Sequence, residues 1–214
     1  MNNILWSIPV PIKYGVGLFI RKNRLPYKLL EEGDTVIQIG APWDILRAGR
    51  SRSIYFCKLV GNTGKVIVFE ADINNVKILQ KFIKDNNISN ITVVPIGAWN
   101  KSTQLRFLIN DKHPASNLVE EVFDDTRTDN KNFRSVEIDV DSIDNVLSDM
   151  DIEKVKLLSI TSNGSEEEIL QGAGTTQKLV KYISIVGSPD NYPKILEYGF
   201  KQQSEDDRGY LYAK

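Results

Sequence analysis

The chain has 214 residues, 41% of them hydrophobic and 26% charged, with a formal net charge of −1. That length suffices to bury the core of one domain, and the near-neutral charge argues against nucleic acid as a bulk electrostatic partner. A single cysteine, Cys57, excludes an intrachain disulfide, and nothing speaks against the reducing cytoplasm.

Residues 4–12 are apolar, and Lys13, Arg21, Lys22 and Arg24 follow. Two prolines interrupt the apolar part and no small-residue cleavage site is evident, so this is a poor signal peptide. It is also too short and broken to span a bilayer. Residues 1–30 read as an N-terminal arm packed on a domain formed by residues 31–214. A weak peripheral membrane contact or a substrate lid are the alternatives.

Gly33-Asp34 is a turn, and residues 35–39 form a short β-branched strand ended by Gly40. A helix is expected over 53–60, with Cys57 on its apolar side. A turn at Gly61 to Gly64 follows, then a strand over 65–69 that ends in Glu70. A strand, a glycine-bearing loop, a helix and a second strand capped by an acid make the βαβ unit that holds an adenosine. The glycine lets backbone approach the ligand, and the acid takes the two ribose hydroxyls. The G-x-G-x-x-G spacing of a nicotinamide dehydrogenase is absent, since only Gly40 and Gly49 lie near the first strand.

A helix over 73–87 carries Val76, Leu79, Phe82 and Ile83 on one face. A strand over 91–96 leads into Gly97-Ala98-Trp99, and residues 104–109 alternate with period two as an outlying strand. The polar stretch 110–132 is interrupted only by Leu118, Val119, Val122 and Phe123, and reads as a lid or a disordered loop. A strand over 135–139 precedes a short helix capped by Asp141 or Ser142. Residues 155–160 form a strand, 161–165 its loop, and 166–170 a helix with Ser165 as cap and Glu168 three positions on. A strand over 182–186, a helix over 192–198 closed by Gly199, and a hairpin across 205–209 complete the chain. The alternation predicts an α/β fold: a doubly wound, mostly parallel sheet with helices on both faces and a C-terminal antiparallel hairpin. Ligands of such sheets sit at the carboxyl ends of the strands, where strand order reverses.

With these residues placed, the chain resembles the FkbM-type methyltransferases, a branch of the class I S-adenosylmethionine-dependent fold. Gly33-Asp-Thr-Val-Ile-Gln-Ile-Gly-Ala41 is similar to the family's opening motif, and Gly64-Lys-Val-Ile-Val-Phe-Glu-Ala-Asp72 to its second-strand block. Residues 87–98, 142–147 and 156–173 resemble three further blocks in the family's order and spacing. There are departures. The family has an acid where Gln38 stands, and Gly-Ala-Asn-x-Gly where this chain has Gly40-Ala41-Pro42-Trp43-Asp44, so the loop looks expanded. Thr161 and Asn163 occupy positions where the family carries an aspartate and a glutamate.

The resemblance implies S-adenosylmethionine as cofactor and a small molecule or sugar as methyl acceptor, methylated on oxygen. The implied cofactor residues are Gln38, Gly40, Ala41, Asp44, Glu70, Ala71, Ala98 and Trp99. Thr161, Ser162 and Asn163 line the acceptor side. Gln38 accepts a hydrogen bond but cannot neutralise the cofactor's ammonium, which costs about 1–3 kcal/mol. Asp44 either supplies that charge from the expanded loop or is merely exposed. Trp99 either covers the adenine or belongs to the core. Arg47, Arg50 and Arg52 either hold an acidic ligand or form a solvated face. His113, the one histidine, is the candidate general base, with an exposed loop residue as the other reading. No metal-ligand spacing is present. The altered positions leave a second function open, a binding or assembly subunit that keeps the scaffold without the chemistry.

Overall fold

The computed structural model of the protein describes residues 9–122, 133–187 and 192–214. Helix α1 (Val10–Arg21) precedes strand β1 (Thr35–Ile39), helix α2 (Trp43–Arg47), helix α3 (Arg52–Val60) and strand β2 (Lys65–Phe69). Helix α4 (Ile73–Asp85) leads to strands β3 (Ile91–Val94), β4 (Gly97–Trp99), β5 (Thr103–Ile109), β6 (Leu118–Val119) and β7 (Arg134–Ser142). Then come α5 (Ile143–Leu147), β8 (Val155–Ile160), α6 (Glu166–Gln171), β9 (Val180–Val186), α7 (Pro193–Glu197) and the hairpin β10 (Lys201–Glu205) and β11 (Gly209–Ala213).

The main sheet has seven strands in the order β10-β11-β9-β8-β1-β2-β3. Strands β9, β8, β1, β2 and β3 run parallel, and the terminal hairpin adds two antiparallel strands at the β9 edge. Order reverses between β1 and β8, so a crevice opens above the carboxyl ends of these two strands.

Alternation along each strand feeds two cores. Ile37, Ile39, Ile67, Phe69, Leu158, Ile160, Ile183 and Ile185 face one layer of helices. Val36, Val66, Val68 and Leu157 face the other, where α1 and α3 bring Tyr14, Ile54, Tyr55 and Phe56. Fully burying each such side chain contributes about 1.5–3 kcal/mol, which overrides the weak helix propensity of the β-branched and aromatic residues in α3. Cys57 lies in this second core, as its place on the helix implied.

Caps fix several boundaries. Asp72 accepts from Asn74 N at 2.9 Å to start α4, and Ser142 accepts from Asn145 N at 3.1 Å to start α5. Ser165 makes no such bond. Instead the Glu166 carboxylate accepts from Gly164 N at 2.9 Å. Asn87, with φ +51, turns the chain after α4.

The N-terminal arm contains the helix α1, starting after Pro9. Two expectations need correction. The loop after β1 contains the helix α2. Strands β4, β7, β5 and β6 form a separate four-stranded sheet, in which Leu118 and Val119 of the expected lid or disordered loop make up β6, and its own apolar core includes Val119. Residues 123–132, which include Phe123, lie outside the described residues.

Candidate functional site

Gly40 closes β1 with φ +84. A Cβ there would stand 2.7 Å from the Thr161 carbonyl oxygen, so close approach of the β1 and β8 ends demands glycine, independently of any ligand. Across this junction Gln38 Nε2 donates to Ile39 O at 2.6 Å, Gly40 O at 3.0 Å and Thr161 Oγ1 at 2.8 Å. Two carbonyl acceptors fix which end of the amide is nitrogen. Gln38 Oε1 is therefore left buried without a partner.

Glu70, at the end of β2, is 6% exposed. Its Oε2 accepts from Ala41 N at 2.6 Å, and its Oε1 accepts from Asp72 N at 2.9 Å and Asn75 Nδ2 at 3.1 Å. Burial pushes its carboxyl above the ordinary value, and these three hydrogen bonds oppose that rise. The carboxylate thus holds the β1 loop against the start of α4, while one lone-pair direction of Oε2 stays uncommitted. Asn75 also accepts from Trp43 N at 3.1 Å, which seats α2 beside α4.

Residues 110–119 fold back across the crevice. Asn163 Nδ2 donates to Ala115 O at 2.9 Å and Asn117 O at 2.7 Å. Asn117 in turn donates to Asp72 Oδ2 at 3.1 Å and accepts from Asn110 N at 2.8 Å. A continuous polar chain therefore runs from the β8 loop, through this segment, to the N-terminus of α4.

Two cavities lie beneath it. One, about 90 Å³, is lined by Glu70, Ala71, Gly97, Ala98 and the apolar faces of β5 to β7. The other, about 190 Å³, is lined by Gln38, Ala41, Ile45, Ser51, Arg52 and Arg208. They share Gly40, Pro42, Ala115, Thr161, Ser162 and Asn163 as walls. Neither alone reaches the roughly 300–1,000 Å³ of a small-molecule site. Joined past Ala115, they would approach it.

Of the predicted site residues, Gln38, Gly40, Ala41, Glu70, Ala71, Ala98, Thr161, Ser162 and Asn163 therefore meet at one crevice. Three do not. Trp99 is buried in the core of the second sheet, because β4 turns its side chain toward Leu105 and Phe107. Asp44 sits in the first turn of α2, outside both linings. His113 is exposed at the start of the short Pro114–Ser116 helix and also lies outside them. Among the described residues, the linings offer one carboxylate, Glu70, two guanidinium groups and no histidine.

Arg52 departs from both of its readings. It is 4% exposed and serves the protein's own acids. Nη2 pairs with Asp206 Oδ1 at 2.9 Å and with Asp207 Oδ1, and Nη1 donates to Ser159 Oγ at 3.0 Å and Ser184 Oγ at 2.6 Å. Gln38, Ser159 and Ser184 share one register across β1, β8 and β9, so a polar row crosses the sheet centre with Arg52 over it. Arg47 and Arg50 remain exposed. The residues that sequence reasoning missed are Asn75, Ala115, Asn117 and Arg208. Arg208 was legible only as part of a hairpin turn, and the other three depend on how the loops fold back.

Strand order 3-2-1 followed by the reversal, an antiparallel edge hairpin and an acid at the end of the second strand define the Rossmann-like fold of class I methyltransferases. The chain belongs to the methyltransferase FkbM domain family, which it matches over residues 38–205. No curated protein matches the sequence. Among solved structures it is similar to fibrillarin of Aeropyrum pernix in complex with S-adenosyl-L-methionine. The identity is 11% and the TM-score 0.49, over 94% of this chain and 76% of that one. It is also similar to a methyltransferase FkbM from Methylobacillus flagellatus, at 17% identity and TM-score 0.49. That match covers 87% of this chain and 44% of the other, so the chain spans less than half the length of that relative. A SAM-dependent methyltransferase from Aquifex aeolicus is similar at 14% identity and TM-score 0.45, with 96% of each chain covered. These identities are too low to carry an activity across.

Proposed function

We propose that the protein is an S-adenosylmethionine-dependent methyltransferase acting on an oxygen of a small molecule or sugar. The observation that carries this reading is Glu70. It ends β2 beside Gly40, at the strand-order reversal, and lines a cavity that Ala71 and Ala98 continue.

The residues present fit the cofactor in two parts. With the two cavities joined past Ala115, the part lined by Glu70, Ala71 and Ala98 offers the groups an adenosine needs, its ribose using the uncommitted direction of Oε2. The neighbouring cavity suits the amino-acid tail: Gln38 Oε1 is a buried acceptor in need of a donor such as an ammonium, and Arg208 suits a carboxylate. The cofactor supplies an electrophilic methyl group on a good leaving group. The protein's contribution is then positioning, which can be worth roughly 7–11 kcal/mol. Ser162 and Asn163 stand where an acceptor would enter.

Calorimetric titration with S-adenosylmethionine and with its demethylated product tests the reading. The wild type should give heat with both. Ala115→Trp, which fills the wall common to the two cavities from an exposed position, should weaken binding at least about tenfold, or about 1.4 kcal/mol, without lowering the melting temperature. Absence of heat with either ligand at millimolar concentration would overturn the proposal. The rival reading is a scaffold without chemistry. It draws on the neutral residues at 38, 161 and 163 and on the segment that Asn163 holds across the crevice.

A further inference from the structure

Helix α1 is apolar on two opposite sides. The inner side packs on the domain. Tyr14 is fully buried, donating to Leu46 O at 2.9 Å and accepting from Ser51 N at 3.3 Å. Gly17 lies against the Tyr55 ring, where any Cβ would overlap the hydroxyl. The outer side carries Ile12, Val16, Phe19 and Ile20, which are 56, 58, 74 and 48% exposed. Their spacing of four, seven and eight residues from Ile12 sets them in one stripe. Among the described residues, this helix carries four of the eight large hydrophobic side chains that stand exposed.

Charge is segregated to the same place. Residues 1–30 contain Lys13, Arg21, Lys22, Arg24 and Lys28 and no acid, in a chain whose net charge is −1. Arg47, at the end of α2, and Arg50, on the loop after it, stand exposed. Between α1 and residues 48–50 runs a groove of about 440 Å³, lined by Ile12, Val16 and Ile20 together with Lys13, Arg21 and Arg50.

We propose that α1 is an interfacial helix that lays its outer stripe into a membrane bearing anionic phospholipids. Twelve residues at 1.5 Å rise make a rod of about 18 Å, far short of the roughly 30 Å hydrocarbon core. Among the described residues no helix is long and apolar enough to cross a membrane. The contact therefore lies in the plane of the interface, with apolar side chains at the acyl boundary and cations at the phosphates. A second copy of the chain fits the stripe less well. Helix against helix, it would bring two acid-free cationic segments together.

Co-sedimentation of the full chain with vesicles tests this. The protein should pellet with phosphatidylcholine vesicles that contain phosphatidylserine, pellet poorly with phosphatidylcholine alone, and be released as salt is raised. Phe19→Glu, at the most exposed position of the stripe, should weaken partitioning at least about tenfold with an unchanged melting temperature. Lys22→Glu with Arg24→Glu should remove the preference for phosphatidylserine. Failure of the wild type to pellet with anionic vesicles would overturn the proposal, as would binding that Phe19→Glu leaves intact. A dimer in light scattering that Phe19→Glu makes monomeric would assign the stripe to a second copy instead.

Discussion

Arg52 shows how one buried charge organises its surroundings. It replaces hydration with two carboxylates and two serine hydroxyls, supplied by β8, β9 and the terminal hairpin turn. Removing one partner from such a set leaves the others uncompensated, so Arg52→Ala should cost about 3–5 kcal/mol. Against a domain stability of about 5–15 kcal/mol, this should be plain in urea unfolding. Burial alone would raise the Asp206 carboxyl. The Arg52 charge, with hydrogen bonds from Ser184, Arg208 N and Gly209 N, outweighs it and holds Asp206 below the ordinary 3.8. A depressed folded value means that this stabilisation is complete above the unfolded value near 3.8 and is lost as pH falls through the folded one. Unfolding free energy measured down an acid series should show that loss, and Asp206→Asn should flatten it. Cys57 is a second residue set by its surroundings. Burial pushes its thiol up to about 11, with the Lys58 charge opposing. The native protein should therefore react with a thiol reagent at pH 8 far more slowly than the urea-unfolded chain.

Among the elements, the segment over the crevice is the one expected to set access to it. Two hydrogen bonds from Asn163, an exposed residue, pin residues 115 and 117. Asn163→Ala should cost only about 0.5–1.5 kcal/mol per bond in stability, yet speed association of S-adenosylmethionine in stopped-flow mixing. An unchanged association rate would mean that the segment does not gate the crevice. The main sheet was readable in advance because its parallel strands are mostly apolar runs, such as residues 35–39 between Asp34 and Gly40 and residues 65–69 between Gly64 and Glu70. Even the polar row was faintly visible as a serine between apolar neighbours in two strands, Leu158-Ser159-Ile160 and Ile183-Ser184-Ile185. The second sheet was not foreseen as a unit. Its strands pair across distances along the chain, such as Leu105 with Ile138, that no local pattern encodes. Helix α2 is five residues long and starts after a proline, too short for a periodic signal. Trp99 and His113 each had two readings for the same reason: which way β4 and the 110–119 segment turn depends on that second sheet, and the structure has Trp99 in the core and His113 exposed.

At the scale of the whole molecule, the N-terminal region and the last hairpin meet at one point. The Tyr27 hydroxyl donates to Asp207 Oδ2 at 2.6 Å, across 180 positions of sequence, and the same carboxylate pairs with Arg52. Successive residues of the β1 loop serve both regions, with residues 48–50 in the groove beside the basic helix and Ser51 and Arg52 in the cavity that Arg208 of the hairpin turn also lines. That arrangement has a consequence for how the chain is made. Arg52 is synthesised 154 and 155 positions before its two counter-charges, Asp206 and Asp207. While the protein emerges from the ribosome, the middle strands can collapse, but the guanidinium has nothing to neutralise it beneath them. The nascent domain must keep that corner hydrated until the hairpin has been made, and the hairpin is what finally dries it.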